Sequence, residues 1–324
     1  MKPRLVILEI GTHSRQQLSS LEEEFEVVVL ESSTRREALD AIQSHQPAAI
    51  VVGLNPIVDE SVLNASAKLR WVVSPTTGVD HIDLTEANRL NVKVLTLRDV
   101  KSEIVAVSST AELAWGLVLA LARRLTAAHQ SVADGIWNRS LFQGVELRGK
   151  TMGVIGLGRL GSYVAQYALG FGMKVLAVDP RSTAQLPAVE CVGLNEMVGR
   201  ANVISLHVPF APDTENLVDR SLLERMRYGT LLVNTSRGQI VDEVAIAGAV
   251  REGLLGGYGA DVLAGETAWA SRVGANPLTP LITEGLNVII TPHIGGYTTD
   301  AIQYTRGLIV TEFLTRYRQE PRQR

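Results

Sequence analysis

The chain has 324 residues, 46% of them hydrophobic and 20% charged, enough apolar content for two globular cores and too much for a disordered chain. A formal net charge of -3 without any long Lys/Arg block excludes a polyanionic partner such as nucleic acid. Cys191 is the only cysteine, which excludes an intrachain disulfide and a cysteine-built metal site and suits a reducing cytoplasm. The first residues carry a charge inside a short apolar run and no cleavage pattern, so no signal peptide is expected. The longest purely apolar run, 113–122, is bounded by Glu112 and Arg123 and is too short to span a bilayer, so no membrane partner is expected.

From the N-terminus, apolar strand-like runs at 5–8, 27–30, 48–52, 71–73 and 92–95 alternate with helical stretches. Ser14 precedes a helix over 15–25, and Thr34 precedes one over 35–45 that has Glu37 in its first turn and Pro47 beyond its end. The alternation predicts a parallel sheet covered on both faces. Residues 105–124, Ala- and Leu-rich, predict one long helix of about five turns, suited to linking two domains or to a subunit contact. A second alternating series follows, with strand-like runs at 152–155, 175–178, 203–206, 231–233, 259–262 and 288–290. A last helix, about 299–317, is left to fold back onto the first sheet. Two doubly wound parallel-sheet α/β domains are therefore expected. Residues 1–101 with 298–324 form a discontinuous flavodoxin-like domain, and 102–297 a Rossmann domain.

The second series opens on Thr151-Met-Gly-Val-Ile-Gly-Leu-Gly-Arg-Leu-Gly161, which reads as strand, glycine turn and helix. Gly156 permits the turn, Gly158 lets backbone N–H groups approach a pyrophosphate, and Gly161 lets the helix lie close to the sheet. The pattern alone is weak, but the next strand ends on Asp179, about 20 residues on, where a carboxylate meets the adenine ribose hydroxyls. That favours NAD over NADP, tempered by Arg181 two residues further, which is able to meet a 2′-phosphate.

Three side chains stand just past strand ends in this half, where open parallel sheets bind ligands: Arg237, Glu266 and His293. Each has a plain alternative. Arg237 can cap a helix or pair with Asp242, Glu266 can be a solvated loop acid, and His293 can be a satisfied histidine after a proline. Together they form a set for hydride transfer to a 2-oxo acid, with arginine to orient, histidine to give a proton and glutamate to tune the histidine. No metal is expected.

These residues resemble the D-isomer-specific 2-hydroxyacid dehydrogenases, a family with phosphoglycerate dehydrogenase and the glyoxylate and hydroxypyruvate reductases among its members. The resemblance runs in order through Val154-Ile-Gly-Leu-Gly-Arg-Leu-Gly161, His207-Val-Pro209 with Thr214, Asn234-Thr-Ser-Arg-Gly238, Gly259-Ala-Asp-Val262 and Thr291-Pro-His-Ile-Gly-Gly296. It implies an NAD site of Thr110, Gly156, Gly158, Arg159, Leu160, Gly161, Asp179, Arg181, His207, Pro209, Thr214, Thr235, Ser236, Arg237, Asp261, His293 and Gly295. In that site His207 is a wall of the cofactor cleft and Asp261 lies near the nicotinamide amide. Thr76-Thr-Gly-Val-Asp80 resembles the substrate loop, so Thr77, Gly78 and Val79 would hold the carboxylate through backbone N–H groups together with Arg237, while His81 is structural. The resemblance implies domain closure over the substrate and a cytoplasmic homodimer contacting through the NAD-binding domain, in which the 105–124 helix and the Trp137 loop suit the contact.

Several positions depart from the family pattern. The basic residues with which phosphoglycerate dehydrogenases meet a phosphate are missing from Val52-Gly-Leu-Asn-Pro56 and Ser74-Pro-Thr-Thr77, leaving Arg98 and Lys101 as alternative anion contacts. Thr267 stands where proline is usual, and Tyr297 where a small residue is usual. The expected activity is NAD-dependent interconversion of a small 2-oxo acid and its 2-hydroxy acid. The alternatives are oxidation of an inorganic or one-carbon anion, as in relatives acting on phosphite or formate, and a non-enzymatic NAD-sensing role, as in a corepressor relative.

Overall fold

The computed structural model describes residues 2–8, 13–30, 34–180, 186–266, 269 and 272–320. The chain divides into two compact units, Met1–Val107 with Thr298–Arg324, and Ser108–Tyr297. Residues 102–107 go with the first unit, because Ile104 is buried in its core beside Leu97 and Val100.

The first unit is built on five parallel strands, β1 (Arg4–Ile7), β2 (Glu26–Val29), β3 (Ala49–Val51), β4 (Trp71–Ser74) and β5 (Lys93–Thr96), in the order β2-β1-β3-β4-β5. That is the flavodoxin-type order. Its central strands read as unbroken apolar runs because both faces are covered: Leu5 and Ile7 enter one core, Val6 and Leu8 the other. Capping boxes start two covering helices, Ser14 with Gln17 before Arg15–Glu22 and Thr34 with Glu37 before Arg35–His45. The C-terminal helix Thr299–Gln319 completes this unit, its Phe313 ring 5.5 Å from both Phe25 and Trp71.

The second unit has seven parallel strands: β6 (Thr151–Ile155), β7 (Lys174–Val178), β8 (Val189–Cys191), β9 (Val203–Leu206), β10 (Thr230–Asn234), β11 (Leu255–Ala260) and β12 (Val288–Ile290). Their order is β12-β11-β10-β9-β6-β7-β8. The chain starts in the middle at β6, winds outward through β7 and β8, then returns to β9 on the other side. The crevice between the ends of β6 and β9 is thus the switch point at which such sheets bind ligands.

Three elements differ from expectation. The helix expected over 105–124 is broken: a short 3-10 turn, Glu103–Ala106, is followed by extended backbone at Val107 (φ -81, ψ 107), and the helix proper is Ser109–Arg123. The second sheet has seven strands and not six; β8 is a short edge strand with two of its three residues exposed, so it lacks the buried run that marks the others. Strand β11 begins four residues earlier than its apolar signal, because Gly256 and Gly257 dilute it. Glycine is needed along this strand: a Cβ on Gly259 would come within 3.2 Å of Leu117 and Leu121 of the covering helix. Among the described residues one stretch, Glu103–Arg123, taken across the break at Val107, is long and apolar enough by composition to cross a membrane. In the second unit its Ala111, Ala114, Leu117, Val118 and Leu121 are buried in the core.

Candidate active site

The glycine turn sits at the switch point. Gly156 has φ +93, and a Cβ there would lie 2.6 Å from the His207 carbonyl oxygen, so the ends of β6 and β9 touch only because this residue has no side chain. A Cβ on Gly161 would fall 1.9 Å from the Gly156 oxygen, and this close approach pins the helix Arg159–Gly170 against the turn. Gly158 is the N-cap of that helix. It offers no side-chain cap, no acid occupies the first turn, and Arg159 stands there instead. A cation at the positive end of a helix is unfavourable by itself, and burial lowers its pKa further. The positive end of a helix favours an anion, and a Cβ at Gly158 would meet no atom within 4 Å. Leu160 beside it packs partly into the core.

Asp179 follows β7 and its Oδ2 accepts from the Leu157 N–H at 2.8 Å, which sets the carboxylate at the glycine turn. Arg181 lies outside the described residues, as does Thr267. Across the turn, His207 Nε2 is 2.8 Å from Ser205 Oγ. Burial lowers the His207 pKa to about 4, so the ring is neutral at neutral pH. Thr214 Oγ1 donates to the Pro209 carbonyl at 2.7 Å and accepts from Ala211 N at 2.9 Å, closing the loop after β9.

The end of β10 carries Thr235, Ser236 and Arg237. Ser236 Oγ donates to the Leu206 carbonyl at 2.8 Å, and Asn234 Nδ2 donates to the Arg237 carbonyl at 2.8 Å, so Ser236 and the arginine backbone are both tied to strand ends of the sheet. Thr235 Oγ1 is buried without a hydrogen-bond partner, a group suited to a ligand. Arg237 has extended backbone and its Nη1 donates to the Ser236 carbonyl at 2.7 Å. Gly238 brings this segment against the next strand end: a Cβ there would lie 2.1 Å from Leu263 C and Ala264 N.

Beyond β11, Asp261 is almost wholly buried. Its Oδ1 accepts from Thr291 Oγ1 at 2.6 Å and Ile294 N at 2.8 Å, and its Oδ2 accepts from Gly295 N at 2.7 Å. Burial raises its pKa against the pull of these bonds and of His293. The network folds the His293 loop back over β11. Gly295 comes so near Thr110 that a Cβ would lie 3.0 Å from Thr110 Cγ2. His293 has the left-handed φ of +54, a strained conformation for a non-glycine residue, held by its N–H donating to the Asp261 carbonyl at 2.9 Å. Its Nδ1 is 2.7 Å from Glu266 Oε1, and Glu266 Oε2 accepts from Leu263 N at 3.1 Å. The two side chains are 27% and 21% exposed, within reach of a small molecule.

In the first unit, the 77–79 turn follows β4. Thr76 Oγ1 donates to the Gly78 carbonyl at 2.7 Å, Arg98 Nε donates to the Thr77 carbonyl at 2.7 Å, and Ile82 N donates to the Val79 carbonyl at 2.9 Å. His81 is buried, its Nε2 3.2 Å from Ser74 Oγ. Ser205, Asn234 and Thr291 have no role assigned from sequence, although two of them open motifs quoted above: each is one polar residue inside or just beyond an apolar strand, and only the fold reveals what it holds. Among the described residues no group of His, Cys, Asp and Glu is arranged to hold a metal.

Residues 115–295 match the D-isomer specific 2-hydroxyacid dehydrogenase, NAD binding domain. The chain is 37% identical to the D-3-phosphoglycerate dehydrogenase of Methanocaldococcus jannaschii over 90% of its own length and 53% of that protein's. It is 36% identical to the hydroxypyruvate reductase of Thermotoga maritima over 75% of this chain and 76% of the relative. The chain spans about half the length of the phosphoglycerate dehydrogenases it matches. Among solved structures, D-lactate dehydrogenase from Aquifex aeolicus complexed with NAD and lactic acid superimposes with a TM-score of 0.82 at 26% identity, over 97% of this chain and 95% of that one. The glycine turn, the strand-end residues and these likenesses together assign the chain to the D-isomer specific 2-hydroxyacid dehydrogenase family, and its second unit is the NAD-binding domain of that family.

Proposed function

We propose that this protein is an NAD-dependent dehydrogenase that interconverts a small, unphosphorylated 2-oxo acid and its D-2-hydroxy acid. The observation that carries the proposal is the His293–Glu266 pair beyond the ends of β11 and β12, on the same unit as a helix N-terminus that has neither a side-chain cap nor an acid in its first turn. Arg159, the Gly158–Gly161 turn, Asp179, Thr214, Thr235 and Thr110 are assigned to the dinucleotide. The nicotinamide supplies the hydride for reduction or takes it up in oxidation.

Arg237 binds the carboxylate of the substrate, since a planar guanidinium matches it with two parallel hydrogen bonds. Thr77, Gly78 and Val79 are assigned as backbone donors to the same group. His293 in its protonated form gives the proton to the developing alkoxide, and accepts it in the oxidation direction. Glu266 fixes the ring through Nδ1, which leaves Nε2 as the atom that exchanges the proton with substrate. Segments 52–56 and 74–77 carry no basic residue, which favours a substrate without a phosphate, while Arg98, whose Nε donates to the Thr77 carbonyl, stays the alternative anion contact beside that turn.

A homodimer is proposed from the second unit, where Ile136 (50%), Trp137 (90%) and Leu141 (55%) are exposed together in one short segment. The exposed free thiol of Cys191 suits a cytoplasmic location. The test is consumption of NADH with glyoxylate, hydroxypyruvate, pyruvate, bulkier 2-oxo acids and phosphohydroxypyruvate. Turnover of at least one unphosphorylated acid, with a D-configured product, is expected. No turnover across the panel would contradict the proposal.

A further inference from the structure

We propose that Glu243 is a positioning residue of this reaction: its buried carboxylate, matched to Asn276, holds the loop that presents Glu266 to His293. The inference rests on the roles proposed above for Glu266 and His293.

Glu243 opens the helix Glu243–Arg251, where an acid would ordinarily serve the helix end. That duty is already met by Asp242, whose Oδ1 accepts from Val244 N and Ala245 N at 3.0 Å each. Glu243 turns away instead. Its Oε1 accepts from Ala264 N at 2.7 Å and its Oε2 from Asn276 Nδ2 at 2.6 Å. Asn276 cannot flip its amide without loss, because its Oδ1 accepts from Leu278 N at 2.8 Å. The successive amides of Leu263 and Ala264 are thus given to two different carboxylates, Glu266 and Glu243, and Glu243 joins Ala264 to Asn276.

A carboxylate 8% exposed is a costly way to hold a loop, since an amide would avoid its desolvation. Burial raises the Glu243 pKa, its two hydrogen bonds lower it, and the charges of Glu266 and Asp242 raise it again. Those two carboxylates face Glu243, while Glu266 and Asp261 face His293. Glu243 therefore fixes where Glu266 stands, through the Ala264 amide two residues before it.

The test is a swap. Glu243→Gln places an amide against the Asn276 amide, donor facing donor. Asn276→Asp places a carboxylate against Glu243. The double variant Glu243→Gln/Asn276→Asp restores one donor and one acceptor, and keeps one negative charge in the pocket.

In Glu243→Gln, kcat for 2-oxo acid reduction is expected to fall about tenfold and the alkaline limb of the pH-rate profile to move to lower pH, with NADH affinity within about twofold of the parent. The double variant should recover kcat to within about threefold of the parent and return the limb. A residue that merely stabilised the fold would lower the melting temperature without moving that limb. Unchanged kcat and pH profile in Glu243→Gln would overturn the proposal. So would a double variant no more active than the poorer single one, and Asn276→Asp against the double variant carries the same comparison should Glu243→Gln fail to fold. Full turnover in His293→Ala would defeat the underlying acid-base assignment instead, whereas its loss beside an unaffected Glu243→Gln would defeat only the role of Glu243.

Discussion

His293 Nδ1 lies 2.7 Å from Glu266 Oε1, although the two residues stand on the loops after different strands. The contact exists because Asp261 gathers the His293 loop through Thr291, Ile294 and Gly295, while Leu263 N holds the other oxygen of Glu266. An imidazole oriented on one nitrogen by a carboxylate is free to exchange a proton on the other, and this is the geometry of a general acid.

Arg237 should be intolerant of conservative change. A guanidinium fork matches a carboxylate with two charge-assisted bonds that a lysine cannot reproduce. Arg237→Lys is expected to raise the Michaelis constant for the 2-oxo acid by about tenfold or more, at about 1.5–3 kcal/mol for a charged hydrogen bond. Steady-state kinetics check this, and an unchanged constant in Arg237→Ala would remove the residue from the site.

Cofactor choice should follow Asp179. Its carboxylate, held at the glycine turn by Leu157 N, would accept from a ribose 2′-hydroxyl and repel a 2′-phosphate. Catalytic efficiency with NADH should exceed that with NADPH by at least about tenfold, and Asp179→Ser should narrow the gap. Comparable efficiency with the two cofactors in the parent would contradict this.

Two glycines of the turn should answer differently to alanine. At Gly161 a Cβ would lie 1.9 Å from a backbone oxygen, so Gly161→Ala must deform the turn and lower stability. At Gly158 it would meet no atom within 4 Å and φ is -75, so Gly158→Ala should leave stability within about 1 kcal/mol of the parent. It should nonetheless weaken NADH binding by about tenfold, because in the proposed site the methyl group would stand where the pyrophosphate approaches. Thermal melts and NADH titrations of both variants separate the two effects, and unchanged NADH affinity in Gly158→Ala would contradict the assignment.

Much of this site is legible in sequence. The central strands are buried on both faces, so they stand out as apolar runs, and the residues just past their ends are those that a parallel sheet offers to ligands. Illegible were the groups whose role depends on distant partners. Thr291 reads as the polar residue after a strand, yet it holds Asp261. Glu243 reads as a first-turn helix acid, yet both its oxygens serve other loops. The edge strand β8 and the break at Val107 escaped for the opposite reason, since each is too short to carry a periodicity of its own.

Burial of His207 predicts acid lability. The ring resists protonation until about pH 4 when folded, whereas its ordinary value is 6.5. Below 6.5 the unfolded chain takes up a proton that the folded one refuses, so stability is complete above that pH and falls toward pH 4, by at most about 3 kcal/mol. His13 in the first unit, lowered to about 4 by burial and by Arg306, acts with the same sign. Denaturant unfolding at pH 7 and pH 4.5 should show a smaller acid loss in His207→Gln than in the parent, the His13 contribution remaining in both. Equal losses would show that His207 is not held neutral.

The central claim is that Glu266 tunes His293 as the acid of 2-oxo acid reduction, and the pH-rate profile of the parent against Glu266→Gln tests it most directly. Reduction needs protonated His293, so the rate should fall at alkaline pH, and removing the Glu266 charge should move that limb to lower pH, while His293→Ala should cut the chemical step by about a hundredfold or more with NADH binding nearly intact. An alkaline limb that stays in place in Glu266→Gln, or full turnover in His293→Ala, would contradict the account.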